Sequence, residues 1–246
     1  RTRHGQDLID ARDRFHIDGP LGYYRFAAGE WRLPQPRPRP GRWSGTPHVG
    51  GAHGPAPLFE FFALNTTRMA EDRQDPEQLA WLDKALATSR ARWRIVYGHH
   101  PIYSTGKRHG PEENLRRHLE PLLLAPPGKA QESAGGASPR AHVYLAGHDH
   151  FYQRFYPQKG VAHFISGSGG KLRRGDARPG PQVAAVEDRK RVFILWEATP
   201  EALRFRAINE DGEAFDCGVV RQSGSVESLP CAPPAEHQKP ADLPHR

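Results

Sequence analysis

Two mostly apolar runs that end in a Gly-His step carry the clearest information about this chain: residues 93–101 read WRIVYGHHP, and residues 143–150 read VYLAGHDH. Short runs rich in apolar and β-branched residues, bounded by turn-prone residues, are typical of buried strands. Ligands of open α/β sheets gather where the chain leaves the carboxyl ends of the strands. The sequence therefore predicts that His99 and His148 lie at such an edge.

The segments around these two runs alternate between strand and helix patterns. Asp75 and Pro76 predict the start of a helix over residues 76–90, and regularly spaced leucines predict a second helix over 111–124. The predicted strands, in addition to 93–97 and 142–146, are 23–26, 58–64, 151–156, 161–166, 192–197, 203–208 and 214–220. This order predicts an α/β fold whose mixed sheet is parallel at first and antiparallel later.

Gly and Pro, at 25 and 24 residues, predict long irregular connections in this chain. We expect one domain over residues 1–220, with loop insertions at 34–57 and 125–140. The proline-rich residues 221–246 are predicted to form a disordered tail. Cys217 and Cys231 are compatible with one late disulfide, and the sequence leaves their pairing open.

The charge of the chain favours anionic partners, because 35 Lys and Arg outnumber 28 Asp and Glu. Nucleic acid is disfavoured as the partner, since the arginine-rich stretch at 34–40 carries no interleaved aromatic residues. A membrane span is excluded by the lack of any apolar run of about 18 residues, and no membrane partner is predicted. The sequence does not indicate an oligomeric state.

The histidines after the two runs predict a metal site. Neutral imidazole binds zinc, iron and manganese, and the glycine before each histidine lets the backbone turn sharply over the sheet edge. In an extended backbone His148 and His150 project to the same side, so both are predicted as ligands together with His99. Asp149 would point the other way and is not counted as a ligand. The competing interpretation is that these are ordinary hydrogen-bonded residues among 14 histidines.

Seven motifs in this chain resemble the calcineurin-like metallophosphoesterases, and within them the purple or tartrate-resistant acid phosphatase branch. The motifs are ALNT at 63–66, QLAWL at 78–82, YGHHPIYS at 97–104, HGP at 109–111, PLL at 121–123, LAGHDH at 145–150 and ISGSGG at 165–170. Their order and spacing are specific, and they cover roughly residues 23–170.

The resemblance implies an αββα sandwich of mixed sheets flanked by helices, with two ions of Fe, Zn or Mn between the sheets. It implies hydrolysis of phosphate esters by a metal-activated hydroxide. His99, His148 and His150 match the late histidine ligands of the family. His109 matches a histidine that faces the substrate and protonates the leaving alcohol, a role that suits an imidazole because it titrates near neutral pH.

The family pattern also requires an early Asp-x-His, a bridging Asp and an Asn-His pair, and this chain shows none of them upstream of His99. His4 follows Arg3, where a coordinating Asn would be required. We therefore expect the second half of such an enzyme, with the N-terminal half absent and with weak metal occupancy and little activity alone. The alternative is a non-catalytic metal- or anion-binding protein that lost its carboxylate ligands. No signal peptide is visible, and the resemblance is compatible with a secreted or periplasmic location.

Overall fold

Two β-sheets form the framework of the protein in the computed structural model, which describes residues 23–30, 56–70, 75–124 and 139–231. Within these residues, the first sheet has seven strands in the order β1-β2-β3-β4-β6-β5-β7, and the second has four in the order β11-β10-β9-β8. The strands are β1 Tyr24–Glu30, β2 Pro57–Ala63, β3 Trp93–Tyr97, β4 Val143–Ala146, β5 Tyr152–Phe155, β6 Ala162–Ser166, β7 Val183–Glu187, β8 Val192–Ala198, β9 Leu203–Asn209, β10 Ala214–Val220 and β11 Val226–Leu229. The helices are α1 Thr67–Ala70, α2 Pro76–Thr88 and α3 Glu113–Leu123.

The centre of the first sheet is parallel. Strands β2, β3, β4 and β6 run in the same direction, and β1, β5 and β7 pair antiparallel at its two sides. The second sheet is antiparallel throughout. The predicted mixed α/β fold is therefore confirmed, and the carboxyl ends of the four parallel strands lie at one edge.

Alternate residues of the central strands enter two different cores. On one face, Val96 of β3 packs with Leu82 of α2 and Leu119 of α3. On the other face, Ile95 packs in a core with Phe164 and Phe205, which joins the first sheet to the second. This alternation follows from the period of two along a strand, and it leaves the sheet edge above both cores open for polar side chains.

The two long helices begin and end close to their predicted positions. The carboxylate of Asp75 accepts a hydrogen bond of 3.2 Å from the backbone N–H of Gln78, which caps the first turn of α2. Pro76 occupies the first helical position, where the missing N–H costs no hydrogen bond. The side chain of Gln78 in turn bonds Asn65, so that α2 also fixes the chain where it leaves β2.

The prediction of a disordered tail from residue 221 is wrong for residues 221–231. Residues 221–231 make a turn and β11, which pairs with β10, and a disulfide joins Cys217 to Cys231. A four-residue edge strand with two charged or polar residues at its centre gives little apolar pattern, which is why the sequence did not indicate it. Strand β7 was missed as well.

Several predictions fall on other parts of the chain. Residues 1–22, 31–55, 125–138 and 232–246 lie outside the described residues, and with them most of both predicted loop insertions, the rest of the tail and His4. In the described part of the chain, no helix combines the length and the apolar character needed to cross a lipid bilayer.

Candidate functional site

The site forms where β3 and β4 end side by side. Tyr97 pairs with Leu145 in the parallel register, and the loops that follow are joined by backbone hydrogen bonds. Gly98 donates to the carbonyl of Leu145 at 3.1 Å, and Gly147 donates to the carbonyl of His99 at 3.0 Å. The two Gly-His steps are thereby held against each other, as the strand pattern predicted.

His99 and His148 are in direct contact at this edge. Nε2 of His99 lies 3.1 Å from Nδ1 of His148, and the two ring centroids are 5.0 Å apart. His148 has a φ of 62°, a left-handed backbone that non-glycine residues adopt rarely and at an energetic cost. Strain of this kind persists where the surrounding structure fixes the residue, and here it turns the imidazole towards His99.

His100, to which the sequence assigned no role, lies in the same group. Its ring centroid is 4.7 Å from that of His99 and 4.5 Å from that of His148. One ring nitrogen of each of these three histidines falls within 4.8 Å of the others. Two signals were available in the sequence: the histidine doublet at 99–100, and the polar residues that follow β2 at the same sheet edge.

His109 is brought to this group by the long loop after β3. Its ring centroid lies 4.3 Å from that of His148. The loop is held by Ser104, which donates a short hydrogen bond to the carboxylate of Asp149, and by Lys107, whose backbone N–H donates to the carbonyl of Asp176 at 2.9 Å. The structure thus places His109 beside the other imidazoles; its role in proton transfer stays a prediction.

The prediction for His150 rested on an extended backbone and on the family resemblance, and the first of these two premises is wrong. The positive φ at His148 and a 2.7 Å hydrogen bond from Asp149 N–H to the carbonyl of Gly147 make residues 147–150 a tight bend. The group of three nitrogens contains His100 and not His150. Nδ1 of His150 is buried and has no hydrogen-bond partner among the residues that the structure describes, and its assignment as a ligand stays a prediction.

Asp149 is buried next to the histidines and is not a member of their group. Its carboxylate accepts the hydrogen bond from Ser104, and a side chain on Gly106 would come within 2.9 Å of it. Burial raises the pKa of this carboxyl group above its ordinary value. Asp149 therefore connects the loop of His148 with the loop of His109.

The site favours neutral imidazoles. Burial first, and the charges of the neighbouring imidazoles second, together lower the pKa of His148 to about 4. Burial also lowers the pKa of His150. The neutral form has the lone pair that a metal ion requires, so this environment suits metal binding.

Two further histidines are buried in the sheets, away from this group. Burial lowers the pKa of His142 and of His163 to about 3, so both are neutral. Nδ1 of His142 accepts a hydrogen bond from the backbone of Arg94, and the ring of His163 packs against Tyr103. They are core residues, as the competing interpretation of a histidine-rich sequence expects.

The donor set fits one divalent ion. Three imidazole nitrogens within 4.8 Å of one another match the ligand number of a zinc site with an open position. Among the described residues, no carboxylate joins this group, and a pair of ions needs bridging oxygen ligands to offset its charge. These side chains therefore fit one ion and do not complete a two-ion site.

Comparison with known proteins shows which family this chain resembles. A model of the calcineurin-like phosphoesterase family matches residues 14–152, more than half of the chain. Human tartrate-resistant acid phosphatase type 5 is 33% identical over 110 residues, which are 45% of this chain and 30% of that protein. Purple acid phosphatase 17 of Arabidopsis thaliana is 35% identical over 99 residues, 40% of this chain and 25% of that protein. The chain thus spans less than a third of the length of these relatives.

Solved structures show the same fold. Purple acid phosphatase PPD1 from yellow lupin seeds superposes with a TM-score of 0.53 at 18% identity, covering 72% of this chain and 34% of that one. GAP50, the anchor in the inner membrane complex of Plasmodium, also gives 0.53, at 20% identity, and covers 71% of this chain and 52% of that one. At such low identity the likeness concerns the fold alone.

Proposed function

Because this chain belongs to the calcineurin-like phosphoesterase family, we propose that it hydrolyses phosphate monoesters with a bound metal ion, or supplies the histidine half of a site that does. One observation carries the proposal. Nε2 of His99 and Nδ1 of His148 are 3.1 Å apart, and the His109 ring lies 4.3 Å from the His148 ring. Two potential ligands and a proton donor thus share one location.

His99 and His148 are the residues that would hold the ion. When bound, such an ion would act as a Lewis acid and would lower the pKa of water. The two backbone hydrogen bonds between their loops hold the backbones of these two residues beside each other before any ion binds. The ligands need little rearrangement on binding, which favours affinity.

His109 would serve as the general acid. An imidazole beside the metal ligands can give a proton to the leaving alcohol oxygen, because its protonated form carries an N–H on each ring nitrogen. Positive charge close to the site supports binding of a phosphate group: Lys171 and Arg173 are near enough to His150 to act on its pKa.

The His109→Asn variant should separate this role from a structural one. We expect kcat/KM for an alkyl phosphomonoester to fall by about 10²–10⁴-fold. The loss for p-nitrophenyl phosphate should be smaller, since nitrophenolate leaves with little help from an acid. The measurement is steady-state hydrolysis of both substrates with added Zn²⁺, Mn²⁺ or Fe²⁺. His118→Asn, on α3, is the matched control and should change neither rate.

An equal loss on both substrates would contradict the role of general acid. We expect turnover by the wild-type chain to be low, because one ion held by imidazoles lacks the charge compensation of a complete two-ion site.

A second function is favoured by one observation, the absence of a carboxylate from the histidine group among the described residues. A protein with these ligands would bind a metal ion or an anion without turnover. Metal binding together with no detectable hydrolysis of either substrate would support this alternative.

A further inference from the structure

We propose that a cleft beside the histidine group is a second anion site, which holds a further phosphate group of a substrate that carries several. The cleft has a volume of about 720 Å³, and its basic lining residues are Lys107, Arg174, Arg189 and Lys190. Sites for small molecules commonly have volumes of about 300–1,000 Å³. The link to hydrolysis rests on the proposed function, whereas binding of the anion does not.

Hydrogen bonds join the walls of this cleft. The loop after β6 forms one wall, the turn between β7 and β8 a second, and the turn between β9 and β10 a third. Nε of Arg174 in the first wall donates to the carbonyl of Arg189 in the second at 3.2 Å. The backbone N–H of Ala177 donates to the carboxylate of Asp188 at 3.1 Å. The backbone positions that carry the two arginines are therefore fixed before a ligand binds.

Acidic side chains also line the cleft, and local partners compensate their charges. Asp211 pairs with Lys190 at 2.6 Å, and Glu210 pairs with Arg191 at 3.1 Å. The carboxylate of Asp188 accepts the hydrogen bond from the first wall. These three acids consequently offer little repulsion to an anion that binds between the remaining cations.

The remaining cations of the cleft have no carboxylate partner among the described residues. The ammonium group of Lys107 donates to the carbonyl of Gly175, and Arg174 likewise bonds to backbone oxygen. The side chains of Lys107, Arg174 and Arg189 are exposed. A guanidinium group presents paired N–H donors to phosphate oxygens, and a lysine adds a point charge. The ligand that this set favours is a phosphate group.

The cleft adjoins the histidine group. Lys107 precedes His109 by two residues, which span at most about 7 Å of chain. The backbone N–H of Arg173, the neighbour of Arg174, donates to the carbonyl of His150 at 2.9 Å. A molecule with phosphate groups a few bonds apart can thus place one at the histidines and another in the cleft. The substrate class is therefore an ester or anhydride with two or more phosphate groups.

The test is calorimetric titration of the purified chain with tripolyphosphate, after a chelating resin has removed metal ions. The wild type should bind one tripolyphosphate per chain at least about 10-fold more tightly than orthophosphate, because several phosphate groups contact the cations together. Arg174→Gln and Arg189→Gln should each weaken binding by about 10-fold or more, the usual loss of a hydrogen bond to a charged group. Arg204→Gln is the matched control, since it removes the same charge from an exposed position on β9 and should bind like the wild type.

Nuclear magnetic resonance tests whether the bound anion reaches the histidine group. Saturating tripolyphosphate should shift the ring nitrogen resonances of His109 in the wild type and leave those of His118, on α3, unchanged. The same addition should not shift His109 in the double variant Arg174→Gln/Arg189→Gln. An unshifted His109 in the wild type would overturn the assignment of the cleft to a substrate of the neighbouring site.

Equal affinity for orthophosphate and tripolyphosphate would overturn the inference, as would unchanged affinity in both Arg174→Gln and Arg189→Gln. An equal loss in Arg204→Gln would also overturn it, because attraction would then depend on net charge alone. These outcomes are read without a metal ion or a turnover assay, so they are distinct from failure of the proposed hydrolysis.

Discussion

Replacing Asp216 by asparagine is expected to lower the free energy of unfolding by about 3–5 kcal/mol, the usual cost of leaving one partner of a buried ion pair alone. Asp216 on β10 accepts two hydrogen bonds of 2.7 Å from the guanidinium of Arg154 on β5, and a third of 2.7 Å from the hydroxyl of Tyr152. The side chains of Arg154 and Asp216 are 3% and 6% exposed. The pair joins the two sheets, so its loss leaves an uncompensated cation between them.

Chemical denaturation followed by circular dichroism measures this effect. Glu210→Gln is the matched control, because Glu210 pairs with Arg191 at the surface, where both side chains are a third or more exposed. That variant should lower the free energy of unfolding by less than about 1 kcal/mol. An equal loss of unfolding free energy in Asp216→Asn and Glu210→Gln would contradict the role of the Arg154–Asp216 pair in joining the two sheets.

A methyl group added at Gly167 is expected to destabilise the fold by about 3 kcal/mol or more, at the upper end of the cost of overpacking. Gly167 follows β6 and packs against the backbone of the histidine loop. A Cβ at this position would lie 2.1 Å from the carbonyl oxygen of Asp149, far inside van der Waals contact. Backbone cannot rotate away as a flexible side chain can, so the loop that carries His148 must move.

Gly169→Ala is the control for Gly167→Ala, because a Cβ at residue 169 would meet nothing within 4 Å. Thermal unfolding should show a large loss of stability for Gly167→Ala and almost none for Gly169→Ala. Metal affinity should fall only in Gly167→Ala. Similar stability and metal affinity in the two variants would show that the loop tolerates the displacement.

Most of the sheet that positions the site was predictable from local patterns. Strands β3 and β4 are short apolar runs with glycine directly after them, and α2 begins at an Asp-Pro pair that caps its first turn. Such signals depend only on near neighbours in sequence. Their consequence, that His99 and His148 meet at one edge, follows from parallel pairing of β3 with β4.

The failures concern features that neighbours in sequence do not determine. The group of three nitrogens contains His100 and not His150, and His148 has a left-handed backbone that its neighbours in sequence do not predict. Arg154 and Asp216 are 62 residues apart, and neither lies in a pattern that marks it as buried. Strand β11 forms because it pairs with β10 beside a disulfide, although its own four residues favour no structure.

Zinc titration of the purified chain by calorimetry tests the central claim most directly, namely that imidazoles from the ends of neighbouring strands converge on one cation. We expect one Zn²⁺ per chain for the wild type and for His118→Ala. In His99→Ala, affinity should fall by at least about 100-fold, because a direct ligand costs no less than an outer partner. Absence of binding by the wild type, or equal binding by His99→Ala, would contradict the claim.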